Sequence, residues 1–301
     1  MTATIDDLLA RVTKPARYSG GEWNSVTKPW GATSVRIALC YPDCYDIGMS
    51  NMGLGILYDI LNRVDDIACE RAYAPWEDME AEMRREGVPL WSLENRRPLR
   101  DFDIVGFTFQ YEMTYTNVLN MLDLGGIPVR ADERGNEHPL VIAGGSGCFN
   151  PEPMSPFIDA FLIGEGEEAV IEIAGLVRNW RRDSTPRAQR LRDLLSVSGV
   201  YVPSFYEPSY DPGGRFQALL PRVAEAPQVV KRRILEALPP PLVQPIVPFL
   251  QTIHDRAVVE IQRGCTQGCR FCQAGMIYRP ARERSPAQVA EAARQLMANT
   301  G

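Results

Sequence analysis

Residues 159–180 read DAFLIGEGEEAVIEIAGLVRNW, and they contain the pattern on which the fold class depends. The first five residues are mostly apolar and predict a strand, and the glycines of GEGE predict a tight turn. The remaining residues place apolar side chains three and four positions apart, which is typical of a helix. A strand, a turn and a helix form the repeating unit of a parallel sheet, so this stretch predicts an α/β protein.

The same alternation of strand and helix precedes this stretch. Strands are predicted at residues 34–42, 67–73, 103–109 and 139–147, and helices at residues 51–63, 78–87 and 112–126. The strand at 103–109 is largely apolar, as strands of buried parallel sheets tend to be. We therefore expect a doubly wound parallel sheet of Rossmann type over residues 34–182.

Two further segments flank this sheet domain. Residues 1–33 are polar and rich in Gly, Trp and Pro, and they predict a short helix and an arm that lies on the surface. Residues 183–250 predict a connector that begins with charged residues, contains a β-hairpin around DPGG at 211–214 and ends in a proline-rich linker. A second domain is expected to begin at residues 251–301.

The composition argues against several classes of protein. The chain has 301 residues, of which 45% are hydrophobic and 23% are charged, and this length allows two domains. The net charge of -6 and the lack of a basic block argue against a broad nucleic-acid-binding face, although a local RNA-contacting patch stays open. The sequence shows neither a signal-peptide pattern nor a run of about 20 apolar residues that could span a membrane. We expect a cytoplasmic protein that does not engage a membrane.

Three of the seven cysteines are clustered. Within RGCTQGCRFCQAG, residues 263–275, Cys265, Cys269 and Cys272 follow the spacing C-x3-C-x2-C. Three thiolates on one loop can each ligate one iron of a cubane [4Fe–4S] cluster and leave the fourth iron open for chemistry. A zinc knuckle is the alternative, but structural zinc usually takes four ligands, and His254 is the one further candidate nearby. The motif predicts an iron–sulfur site in a reducing compartment.

The cysteine loop and its flanks resemble the radical S-adenosylmethionine (radical SAM) superfamily. The resemblance rests on a predicted strand at 257–264, Gly264, the three cysteines, Phe271 before the last of them, and a predicted helix at 285–301. It implies a [4Fe–4S] cluster that binds S-adenosylmethionine and cleaves it reductively to a 5′-deoxyadenosyl radical. It also implies that the strand, loop and helix begin a partial TIM barrel and that Phe271 packs near the adenine. Gly264 and Gly268 would relieve crowding where the loop curls around the cluster.

The α/β domain ahead of this loop resembles the cobalamin-binding class of the superfamily. Such domains often carry Asp-x-His-x-x-Gly after the first strand, and Asp43, Tyr45 and Gly48 stand at this spacing with Tyr in place of His. Tyrosine has a pKa of about 10 and is a poor neutral ligand at pH 7, so a bound cobalt would not be held by histidine. The resemblance implies cobalamin as a further cofactor.

Glycines at two predicted strand ends suit a ligand at the same edge of the sheet. Gly144 and Gly145 follow the fourth strand, and Gly164 and Glu165 follow the fifth within a GEGE sequence that recurs in the class. Because glycine has no side chain, the backbone at these positions could approach a large flat ligand. The alternative is that the glycines only form tight turns between strand and helix.

The whole chain resembles an uncharacterised bacterial family of cobalamin-domain radical SAM proteins, including Tyr-Pro-Asp-x-Tyr-x-Ile-Gly at 41–48. We expect an enzyme that methylates or rearranges an unactivated carbon in RNA, protein or a small molecule, with a reductant such as flavodoxin or ferredoxin. The alternatives are a cobalamin-free radical enzyme, and a non-catalytic iron–sulfur or cobalamin sensing module or inactive fragment. Because the chain ends after one predicted βα unit of the barrel, we expect it to be a fragment of a longer protein.

Overall fold

A six-stranded sheet forms the centre of the protein in a computed structural model that describes residues 3–300. Apolar residues form most of its strands because their side chains can be buried on both faces of a sheet, and β2 also buries the charged Glu70 and Arg71. The strands are β1 Val35–Tyr41, β2 Ile67–Tyr73, β3 Ile104–Thr108, β4 Leu140–Gly144, β5 Ala160–Leu162 and β6 Val200–Tyr201. The five predicted strands are confirmed, with slightly narrower bounds.

The strands lie in the order β2-β1-β3-β4-β5-β6. The first five run parallel, and β6 pairs antiparallel with β5. The winding changes direction between β1 and β3, and ligands of open parallel sheets bind beyond the carboxyl ends of the strands at such a point. The predicted α/β class with a mostly parallel central sheet is confirmed.

Helices cover both faces of this sheet. They are α1 Ile5–Leu9, α2 Tyr45–Gly48, α3 Met52–Asn62, α4 Glu77–Glu86, α5 Tyr115–Leu124 and α6 Ala169–Asp183. Side chains alternate across a strand, so Ile37 and Leu39 of β1 join a core with α3 and α6. Ala38 and Cys40 join the opposite core with α1, α4 and α5. The sheet domain is therefore stabilised by an apolar core on each face.

The segment after α6 differs from the predicted charged connector. It forms helix α7 Arg187–Leu194 and then leads into β6, which extends the sheet. Arg187 is buried, and its guanidinium donates to Asp159 at 2.5 Å and to the carbonyl oxygen of Pro139 at 3.2 Å. Because these charges are paired, an arginine-rich stretch packs into the sheet domain, which extends to residue 201.

The predicted hairpin follows β6. Strands β7 Tyr206–Tyr210 and β8 Phe216–Pro221 pair antiparallel, and Asp211 Oδ1 accepts hydrogen bonds from two backbone amides of the turn. Residues 222–261, which are all described, form no helix or strand. Isolated bridges pair Val247 with Trp23 and Arg233 with Gly164. This segment, called the linker below, contains the proline-rich residues 237–250 and is anchored at separate points, to the N-terminal arm through Trp23 and to the sheet domain through Gly164.

The C-terminal part departs from the predicted barrel start. The strand expected at 257–264 shrinks to β9 Gln262–Arg263, which pairs antiparallel with β10 Arg282–Glu283. Residues 257–261 of the predicted strand are irregular, and within residues 3–300 no parallel strand pairs with them. Helices α8 Ala274–Ile277 and α9 Pro286–Thr300 complete the elements, and Ser285 Oγ caps α9 by accepting from the Gln288 amide at 3.3 Å. Within residues 3–300, no helix has the length and apolar character needed to cross a membrane.

Candidate functional site

The three clustered cysteines lie on a loop between β9 and α8. Cys269 is exposed, and Cys265 and Cys272 are partly exposed. The remaining cysteines are buried in the sheet domain: Cys40, Cys44, Cys69 and Cys148. Burial raises the pKa of each of these four thiols, so they stay protonated. Of the seven cysteines, all within the described residues, the three of the motif are those accessible to a metal.

Two glycines shape the cysteine loop. Gly264 has a φ of +88°, and a Cβ there would lie 2.4 Å from the carbonyl oxygen of Tyr278. Gly268 has a φ of +66°, and a Cβ there would meet Arg279 Nη2 at 3.4 Å. Both residues adopt the left-handed conformation that favours glycine. Gly264 therefore lets two backbone segments touch at the base of the loop, and Gly268 permits the turn between the first two cysteines.

The three sulfurs are not gathered into a site. The Cys272 amide donates to the Cys269 carbonyl oxygen at 3.1 Å, and the Gln267 amide lies 3.5 Å from Cys265 Sγ. No group of three or more His, Cys, Asp or Glu side chains among residues 3–300 is arranged so that it could hold a metal ion. The donor set itself fits an iron–sulfur cluster, because one loop presents three accessible soft ligands. The loop would have to close for all three to ligate.

Phe271 lies on the same loop, directly before the last cysteine. Its ring is 92% exposed and contributes nothing to either apolar core. An aromatic side chain that is not needed for packing is available to cover a ligand. The contact between Phe271 and an adenine stays a prediction.

Charged side chains hold the base of the cysteine loop, and we call them the arginine–glutamate cluster. Its largely buried members are Glu165, Glu167, Glu260, Arg263, Arg282 and Arg284. Arg263 donates to Glu167 Oε1 at 2.6 Å and to Glu260 Oε1 at 2.8 Å. Arg284 Nε donates to the carbonyl oxygen of Glu260 at 2.8 Å. The cluster thereby links the β9–β10 pair to the turn that follows β5.

Glu165, predicted from the resemblance to contact a cofactor, lies in the middle of this cluster. Its Oε1 accepts from Arg282 Nη2 at 2.6 Å and from Arg263 Nη1 at 3.3 Å. Its Oε2 accepts from Arg282 Nη1 and from the Leu235 amide, each at 2.6 Å. Burial opposes ionisation, but the bonds from Arg282 and Leu235 and the charge of Arg263 outweigh it and lower the pKa of Glu165. The carboxylate is ionised, and its partners come from the protein itself.

Gly164 also has a different neighbour from the predicted flat ligand. Its φ is +109°, and a Cβ there would lie 2.2 Å from the carbonyl oxygen of Arg233. The Arg233 amide donates to the Ile163 carbonyl oxygen at 2.8 Å, and the Glu165 amide donates to the Arg233 carbonyl oxygen at 3.1 Å. The linker therefore fills the space that the missing side chain leaves.

Tyr45 and Gly48 lie in α2, just after β1. Tyr45 is 1% exposed, and its hydroxyl donates to Glu22 Oε1 at 2.8 Å. Burial and the neighbouring Glu22 carboxylate raise the pKa of Tyr45, so the phenol stays protonated. Gly48 is required for packing, since a Cβ there would lie 2.4 Å from the Tyr73 ring. Tyr45 therefore faces the interior and not a ligand at the edge of the sheet.

The acid that binds Tyr45 belongs to a second buried ion cluster. Glu22, in the N-terminal arm, accepts from Arg71 of β2 at 2.8 and 3.2 Å. Arg71 Nε also donates to Glu94 at 2.7 Å, and the three charged side chains are almost completely buried. This cluster fastens the arm to the sheet.

Asp43, Gly144 and Gly145 lie at the carboxyl ends of β1 and β4. Asp43 is partly exposed, and its Oδ1 accepts from the Cys44 amide at 2.7 Å. Gly145 has a φ of +107° and lies against the backbone of Phe109, whose carbonyl oxygen would be 2.4 Å from a Cβ on Gly145. Apart from Gly144 and its two chain neighbours, no atom of residues 3–300 would lie within 4 Å of a Cβ on Gly144. Among the four glycines predicted to border a ligand, which are Gly48, Gly144, Gly145 and Gly164, Gly144 is the one beside open space.

The arginines that close the cysteine loop carry no recognisable sequence motif. Arg263 and Arg282 stand opposite each other in the β9–β10 pair, so like charges meet unless acids separate them. The acids of GEGE supply this separation from a position about 100 residues upstream. A signal was present in the repeated arginines at 279, 282 and 284, but only the fold shows which acids they meet.

A cavity of about 650 Å³ lies away from the cysteine loop, between α3, the proline-rich linker and residues 252–258. Arg63 and Ser50 line one side, and Leu242 of the linker lines another. His254 also lines it, and the His254 amide donates to Ser50 Oγ at 3.1 Å. The histidine considered as a zinc ligand therefore belongs to this cavity.

Comparison with known proteins identifies the sheet domain. The model of the family described as "Radical SAM proteins, N-terminal" matches residues 53–203, which span α3 to β6. An uncharacterized protein of Methanocaldococcus jannaschii is 23% identical over 256 residues, which cover 82% of this chain and 43% of that protein. The chain thus spans less than half the length of this relative. Because the family match extends over half of its residues, the chain belongs to the radical SAM proteins of this N-terminal family.

Proposed function

We propose that this chain carries the cluster-binding loop of a radical SAM enzyme, with Cys265, Cys269 and Cys272 as ligands of a [4Fe–4S] cluster. The observation that carries the proposal is a three-cysteine loop, exposed and free of disulfides, on the same chain as the family's N-terminal sheet domain. When bound, the cluster would supply reductive cleavage of S-adenosylmethionine, with electrons from a reductant such as flavodoxin or ferredoxin.

The residues of the chain have separate roles in this proposal. The three thiolates bind the irons, while Gly264 and Gly268 allow the backbone conformations that the loop needs. Phe271 projects from the loop and is available to cover the adenine of the bound nucleoside. The substrate class stays open among RNA, protein and small molecules.

The first experiment is anaerobic reconstitution with iron and sulfide, followed by metal analysis and EPR. We expect about four irons per chain, and a reduced spectrum that changes when S-adenosylmethionine is added. Replacement of all three loop cysteines by alanine should abolish iron binding. Cys148→Ala removes a buried thiol of the sheet domain and should leave it unchanged. Stoichiometric zinc without iron would contradict the proposal.

We extend the proposal to a ligand at the carboxyl edge of β1, β3 and β4, and the resemblance implies that this ligand is cobalamin. The change of winding between β1 and β3 and the open space beside Gly144 support a ligand there. This proposed ligand does not include contacts to Tyr45, Gly164 or Glu165, because each of these residues contacts other residues of the chain.

Incubation with cobalamin, followed by gel filtration and an optical spectrum of the protein fraction, tests this extension. We expect a bound corrinoid that is weakened by Gly144→Leu, which fills the open space. Tyr45→Phe should leave the corrinoid spectrum as it is. A protein fraction free of corrinoid would restrict the proposal to the iron–sulfur loop.

A further inference from the structure

One carboxylate joins three segments of the chain at the base of the cysteine loop. Glu165 contacts Arg263 on the strand that leads into the loop and Arg282 on the strand that returns from it. It also accepts from the amide of Leu235 in the linker. The two arginines stand opposite each other, so the distance between the ends of the loop depends on what lies between their charges.

The bonding capacity of Glu165 is fully used by these partners. An ionised carboxylate offers about four acceptor positions on its two oxygens. Arg263, Leu235 and the two Nη atoms of Arg282 fill all of them, at distances between 2.6 and 3.3 Å. Since the side chain is also about 90% buried, its geometry serves the protein and not a diffusible ligand.

The ion pair between Glu165 and Arg282 is bidentate. Both Nη atoms of the guanidinium meet the carboxylate, and bidentate charge-assisted bonds fix orientation as well as distance. The loss of one partner from such a buried pair leaves the other charge uncompensated. Glu167 and Glu260 also bind Arg263, but neither bonds to Arg282.

We propose that Glu165 is a positioning residue for the cysteine loop, because it holds Arg263 and Arg282 together and fixes both ends of the loop to the turn after β5. Resting on the proposed function, this inference predicts that Glu165 controls how firmly the loop retains its cluster and the environment of the irons. The hydrogen bonds of Glu165 go to Leu235, Arg263 and Arg282 and not to the cysteines.

The test compares Glu165→Gln with Glu168→Gln. Both substitutions remove one negative charge from the same turn, but Glu168 is exposed and shares its partner, Arg233, with Glu172. In the cluster-free protein, amide hydrogen exchange over residues 262–283 should become about tenfold faster in Glu165→Gln, since a charge-assisted bond is lost. Glu168→Gln should exchange at the wild-type rate, and so should the strands of the sheet in both variants. Wild-type exchange in Glu165→Gln would overturn the proposal.

The reconstituted protein gives a second readout that general destabilisation would not reproduce. Glu165→Gln should shift the EPR spectrum and the midpoint potential of the reduced cluster and release iron to a chelator faster, and Glu165→Asp should recover part of each effect. Spectra, potentials and release rates that match those of the wild type would overturn the positioning role.

The two proposals fail separately. If the wild-type chain takes up no iron, the cluster assignment fails, while the exchange comparison still tests the role of Glu165. If Glu165→Gln does not fold, Arg282→Gln removes the same bidentate pair from the other side and should open the same residues. Unchanged exchange over residues 262–283 in Arg282→Gln would count against the proposal.

Discussion

In the sheet domain, apolar side chains from alternate positions of β1 and β3 fill a core on each face, and the ion cluster around Arg71 of β2 is an exception within it. In the cysteine segment, residues 257–285, apolar side chains such as Val258, Ile261 and Phe271 are exposed, and largely buried ion pairs hold the chain. Apolar packing responds to side-chain volume, whereas ion pairing responds to charge and pH. The two regions should therefore be sensitive to different substitutions.

The strongest test of this contrast is one substitution made in both regions. Phe107→Ala removes a ring that is 2% exposed in the core and should lower the free energy of unfolding by about 3–5 kcal/mol. Phe271→Ala removes a ring on the cysteine loop and should change it by less than about 0.5 kcal/mol. Urea unfolding followed by circular dichroism measures both values. Equal losses would show that the cysteine segment packs like the sheet domain.

Tyr45→Phe tests a polar contact inside the sheet domain. It removes the hydrogen bond to Glu22 but keeps the ring packing, and Glu22 still has Arg71 as a partner. Because the acceptor is charged, we expect a loss of about 1.5–3 kcal/mol in urea unfolding. An unchanged stability would mean that the hydrogen bond from Tyr45 adds nothing to the pairing of Glu22 with Arg71.

Acid should loosen the cysteine segment before the sheet domain. The pKa of Glu165 lies below its ordinary value of 4.5 in the folded protein, so its ion pairs are complete above that value and are lost as the pH falls through the lower folded value. Amide exchange over residues 262–283, corrected for the intrinsic effect of pH, should accelerate in this range while β1 and β3 stay protected. If exchange accelerated in β1 and β3 over the same pH range, the two regions would not differ in their response to acid.

The smallest effect should come from an exposed ion pair of the sheet domain. Asp66 accepts from Arg178 at two distances of 2.6 Å, but both side chains are about one-third or more exposed. Exposed pairs are screened by water, so Asp66→Asn should cost no more than about 1 kcal/mol in urea unfolding. A loss as large as that of Phe107→Ala would mean that an exposed ion pair stabilises the sheet domain as strongly as a buried ring does.

Much of the fold could be predicted from the sequence because strand and helix periods are local properties. The apolar run at 35–41 and the heptad-like spacing in 169–183 require no knowledge of their partners. The prediction of a strand at 257–264 was wrong for most of its residues. An apolar run shows that a strand could form, but it does not show whether a neighbouring strand is present to pair with it. Helix α7 was missed because the buried partners of Arg187 lie up to about 50 residues away in sequence.

The candidate site was predicted unevenly. The three cysteines proposed as ligands are recognised from their spacing alone, and the structure shows them accessible on one loop. The roles of Tyr45, Gly164 and Glu165 depend on Glu22, Arg233 and Arg282, which no local pattern connects to them. Sequence spacing can therefore suggest a ligand edge, but the protein's own side chains decide which positions stay open to one.

The uneven burial of the cysteines has a practical consequence for chemical labelling. Native protein treated with an alkylating reagent under reducing conditions should gain three adducts, at Cys265, Cys269 and Cys272, because the other four thiols are buried and protonated. After unfolding, all seven should react. A bound cluster would reduce the native count to zero, so an intact mass spectrum reads the occupancy of the loop directly.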